Sequence, residues 1–150
     1  MNKVLEILNR RLESEHIEIR MTEEDGETKL NAIIEGLGED EDGAIVCEIA
    51  KTEEDENEGG VYYSFYTMIA DHLEKETFAP TMLNLNELNT ALVVGAYGIL
   101  TEDGSIFHKY IYRMPEMEDE AAAEALYAVF TDIIASVYND YEAIFASITE

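Results

Sequence analysis

The chain has no tryptophan, one cysteine, two prolines and only 9 Lys plus Arg. One cysteine excludes an internal disulfide, and the apolar neighbours Ile45, Val46 and Ile49 point to Cys47 as a buried thiol in a strand, in a reduced, cytoplasmic setting. The shortage of cations is set against 34 Asp plus Glu. The formal net charge of -25 repels nucleic-acid phosphates and anionic lipid surfaces alike. Residues 1–16 alternate charged and apolar positions, so they lack the continuous apolar core of a secretory signal, and no window of 18 apolar residues marks a membrane span. The expectation is a cytoplasmic protein that binds neither nucleic acid nor membrane.

Reactive motifs are also missing. His16, His72 and His108 lie far apart and lack the close pairing of zinc sites. The acidic clusters at 39–42 and 53–56 fall between predicted strands rather than in the helix-loop-helix frame of a calcium loop, so they read as solvated connections. Gly36-Leu37-Gly38, Gly59-Gly60 and Gly95-Ala96-Tyr97-Gly98 do not have the spacing of a phosphate-binding loop. Cys47 and His108 would form a nucleophile and base only if the fold brought them together, and no cation stands beside Cys47 to lower its pKa. No catalytic, metal or cofactor residue is assigned on these grounds, and no enzymatic activity is expected.

What the chain does have is periodicity. Val4, Leu5, Leu8 and Leu12 recur at helical spacing, predicting a helix over 2–14. Strict alternation over 16–21 puts Ile17, Ile19 and Met21 on one side of a strand. Asp25-Gly26 and Asp42-Gly43 supply hairpin turns into strands at 28–37 and 44–51. An acidic connection at 52–60, expected to be a mobile loop, leads to an aromatic strand at 61–69. A helix follows over 80–92, with Pro80 as its first residue. Strands at 93–100 and 105–113 flank Asp103-Gly104, and residues 118–148 hold a 3.6-residue apolar period from Ala122 to Ile148. One domain, 1–150, is predicted: an α+β fold with an antiparallel five- to six-stranded sheet packed by an N-terminal helix, a middle helix and a long C-terminal helix.

The 61–69 strand breaks the usual pattern. One side carries Val61, Tyr63, Phe65 and Ile69, the other Tyr62, Tyr66 and Met68, so neither side is polar enough to face water. Both sides need cover, from helices or from another subunit. Tyr62, Tyr63, Phe65, Tyr66 and Met68 are the candidate interface residues of a homodimer, because aromatic residues with polar tips favour protein contacts.

The order of elements, together with Leu88-Asn89, Gly95-Ala96-Tyr97 and Asp103-Gly104 followed by Phe107 and Tyr110, resembles the type III secretion chaperone-like fold and in particular the YbjN-like group of small acidic bacterial proteins. The resemblance implies a non-enzymatic domain, frequently a homodimer, that binds a protein or peptide client or acts in regulation. The charge alone supports a different expectation, a carboxylate-studded nucleic-acid mimic or immunity-type inhibitor of a basic protein.

Overall fold

The computed structural model describes residues 2–52 and 60–146. Three helices and a six-stranded antiparallel sheet make an α+β fold. Helix α1 (Lys3–Ser14) begins where Asn2 caps it, its Oδ1 accepting from the Leu5 N–H at 3.0 Å. The helix buries Leu5, Leu8 and Leu12 completely. Each leucine so buried contributes roughly 1.5–3 kcal/mol of transfer free energy.

Strands β1 (Glu18–Glu24), β2 (Glu27–Leu37), β3 (Gly43–Lys51) and β4 (Gly60–Ala70) form a meander. A short 3-10 turn (Lys75–Thr77) leads into α2 (Phe78–Asn89). The chain then returns through β5 (Ala96–Leu100) and β6 (Ser105–Pro115) before α3 (Asp119–Phe145). Strand order is β1-β2-β3-β4-β6-β5, so β6 pairs with β4 and β5 takes the edge. Residues 53–59 of the acidic connection lie outside the described residues.

Several element boundaries differ from the sequence reading, among them β1, which spans Glu18–Glu24 rather than 16–21, and the middle helix, which ends at Asn89 rather than at 92. The middle helix starts at Phe78, which places Pro80 in its third position; the missing N–H is still harmless there because first-turn amides have no partner inside the helix. Strand β5 starts at Ala96 rather than at 93. Asn89 holds Tyr97 by both backbone groups, accepting from its N–H at 2.7 Å and donating to its carbonyl at 3.1 Å. Gly95, at φ 72, turns the chain between them, and Val93 is left 86% exposed. The aromatic strand runs one residue further than expected at each end, from Gly60 to Ala70.

All three helices lie in one layer, where α3 packs on both α1 and α2. The residues buried beneath them alternate along each strand: Leu30 and Ala32 on β2, Ile45, Cys47 and Ile49 on β3, Tyr63, Phe65, Thr67 and Ile69 on β4. Among the described residues, α3 is the helix long and apolar enough to cross a membrane. Its stripe Leu126, Phe130, Ile133 and Val137 is buried in this core.

Candidate functional site

With the helices on one side, no described element covers the other face of the sheet. The outward residues of β1 and β2 are mostly polar, with Ile33 beside Val46 as the exception: Glu18 pairs with Arg20 at 3.4 Å, and Lys29 reaches Glu48 of β3 at 3.8 Å. The other four strands present a different surface. Val46 on β3, Met68 on β4 and Phe107 on β6 lie side by side in register, as do Ala50, Ser64 and Ile111. Val46, Met68 and Ile111 are 38%, 39% and 49% exposed.

Tyr66 stacks on Phe107 with ring centroids 5.3 Å apart and an interplanar angle of 18°. The Phe107 ring in turn lies over Gly98 of β5, where a Cβ would come within 2.7 Å of it, so the glycine is what lets the ring lie flat. The Tyr66 hydroxyl is shielded and has no hydrogen-bond partner among the described residues. Burial chiefly raises its pKa, and the carboxylates of Asp103 and Glu48 push in the same direction. The outward charges of these four strands are Glu48, Lys109 and Arg113, a local balance far from that of a chain at -25.

Of the five residues singled out in the sequence, Tyr62, Tyr66 and Met68 lie on this uncovered face. Tyr63 and Phe65 do not: they are 2% and 0% exposed and point into the helix layer, because alternate residues of a strand take opposite sides. Phe107, Lys109 and Ile111 complete the surface from β6. Their own alternation in the segment 105–113 was the available signal.

The covered side holds a polar row across four strands, Cys47–Thr67–His108–Tyr97. Cys47 and His108 thus share a row but stand two strands apart, about 10 Å by strand spacing, too far for direct proton transfer. Burial pushes the Cys47 thiol up to about 12; Thr67 lies close enough to pull the value back slightly, yet its hydroxyl does not reach hydrogen-bond geometry. His108 is fully buried. Its Nε2 sits 2.9 Å from the Val94 carbonyl and carries the proton of the neutral ring, which leaves Nδ1 unprotonated and without a partner among the described residues. Desolvation holds the imidazole pKa below its usual value, against a smaller opposing effect of the Val94 carbonyl and Asp140. Tyr97 donates to Asp140 at 2.8 Å, and burial together with that carboxylate raises its pKa.

No group of three or more His, Cys, Asp or Glu side chains is placed to hold a metal among the described residues. A concavity of about 500 Å³ lies between α3 and the start of the sheet, walled by Ile17, Ile34, Phe130, Ile134 and Tyr138.

No protein-family model matches the chain, and no curated protein matches it.

Proposed function

We propose that the protein is a non-enzymatic protein-binding domain, chaperone-like or regulatory, that works as a homodimer through its uncovered sheet face. The observation that carries this reading is the apolar and aromatic surface of β3, β4, β6 and β5, a contiguous patch of the kind that marks an interaction site on a soluble protein. The likeness in element order to secretion chaperones and the YbjN-like group supports the same reading. So does the chemistry of the buried row, which sets a thiol with a raised pKa and a lone imidazole apart from each other.

Acids are scarce on that patch and abundant elsewhere. The remaining surface could therefore receive a basic partner, as a nucleic-acid mimic would, while the sheet face holds a second subunit. Light scattering on a size-exclusion column tests the dimer: twice 16.9 kDa is expected, and a monomer at high protein concentration contradicts it. Affinity capture from native cytosol tests the class of client. An amphipathic protein segment supports the chaperone-like reading, and a nuclease or DNA-binding protein supports the mimic.

A further inference from the structure

We infer that the partner of the open face is a second copy of this chain, packed sheet on sheet about a two-fold axis that lies between the two sheets, parallel to β4 and above Tyr66. This rests on the reading of that face as the homodimer surface and adds the symmetry and register in which the two copies meet. Three strands in register carry the row Glu48–Tyr66–Lys109, with β4 in the middle. A two-fold axis along β4 exchanges the places of β3 and β6, so Glu48 of each copy meets Lys109 of the other. The same operation sets Val46 against Phe107 and the small Ala50 against Ile111. It also keeps the two sheets aligned, the usual arrangement of face-packed sheets once their twist is included. An axis across the strands would instead set Glu48 on Glu48 and Lys109 on Lys109.

Two further observations favour a copy over a foreign protein. Lys109 is exposed and makes no ion pair among the described residues, although the chain has 34 acidic groups to offer. Two molecules at -25 repel one another over most of their surfaces, and the near-balanced face of β3, β4, β6 and β5 is where they approach at least electrostatic cost. With β4 on the axis, β3, β4 and β6 of one copy face β6, β4 and β3 of the other; three strands about 4.8 Å apart and six residues long project roughly 300 Å² per subunit, below the size of stable specific interfaces, so the dimer dissociates on dilution.

Sedimentation equilibrium of the full chain and of Glu48→Lys, Lys109→Glu and the double swap tests the register, with circular dichroism to verify folding. Reciprocal pairing predicts that each single swap weakens dimerisation by about tenfold or more, because each sets like charges together twice per dimer, and that the double swap recovers to within about threefold. Overall charge alone predicts something else: Glu48→Lys, which makes the chain less negative, would tighten the dimer. That result, or single swaps with no effect, overturns the pairing while leaving a dimer in place. A wild-type chain that stays monomeric overturns the reading of the face as well.

Discussion

The two faces of one sheet are built from the same strands and obey opposite rules. Beneath the helices, Phe65, Ile49 and Leu30 are 0% exposed, and the core around them is mostly apolar beside the Cys47–Thr67–His108–Tyr97 row. On the far side, Tyr66, Phe107 and Met68 lie partly in water with no element above them. One face accounts for the stability of the single chain. The other is left uncovered by the described elements. Whether a large aromatic residue is sealed in the core or left on the open face depends only on whether its position along the strand is odd or even.

Truncating one aromatic residue on each face gives the largest contrast. Phe65→Ala should lower unfolding free energy by about 3–5 kcal/mol, as large-to-small changes in a closed core do. Phe107→Ala, which removes a half-exposed ring stacked on Tyr66 and Gly98, should cost only about 1 kcal/mol. Chemical denaturation read by circular dichroism, at a dilution that favours the monomer, compares the two. Equal losses would show that the sheet is covered on both sides.

His108 sharpens the description of the covered face. Its folded pKa lies below the unfolded value, so the unfolded chain binds protons more readily as pH falls. The stability it contributes is therefore fully present above the unfolded value of about 6.5 and is lost on acidification toward the folded pKa, at up to ~1.4 kcal/mol per pH unit. A protonated Nδ1 would have no acceptor among the described residues. In His108→Gln this loss between pH 6.5 and lower values should disappear relative to wild type, while titration of the many carboxylates is common to both. Parallel pH curves for the two proteins would refute the assignment.

Salt separates the acidic surface from the rest with a smaller effect. With a net charge of -25, repulsion destabilises the folded chain at low ionic strength, and screening that brings the Debye length below ~10 Å should raise the thermal midpoint by a few degrees. A midpoint that is flat or falls as monovalent salt rises to about 0.3 M would contradict this.

Much of this fold was legible because its signals are local. The Leu5-Leu8-Leu12 stripe, the Asp-Gly turns and the long period of α3 each report their own element. The start of β5 was not legible, since the apolar run from Val93 reads as strand until Asn89 is seen to hold Tyr97 from the preceding helix. The make-up of the uncovered face was no more legible. Alternation separated Tyr62, Tyr66 and Met68 from Tyr63 and Phe65, but nothing in the strand alone says which set the helices take. That depends on all three helices landing on one side, a property of the whole chain. The pairing of β4 with β6 rather than β5, which sets Lys109 in line with Glu48, is likewise invisible in one strand.

Methionine oxidation offers the most direct test of the central claim that the open face is an interface. Met68 on β4 and Met82 on α2 are 39% and 38% exposed in the single chain, so peroxide should oxidise them alike when the protein is dilute. As protein concentration rises, sulfoxide formation at Met68 should slow while Met82 keeps its rate, because a second subunit covers only the sheet. Rates for the two that stay equal at every concentration would contradict the account.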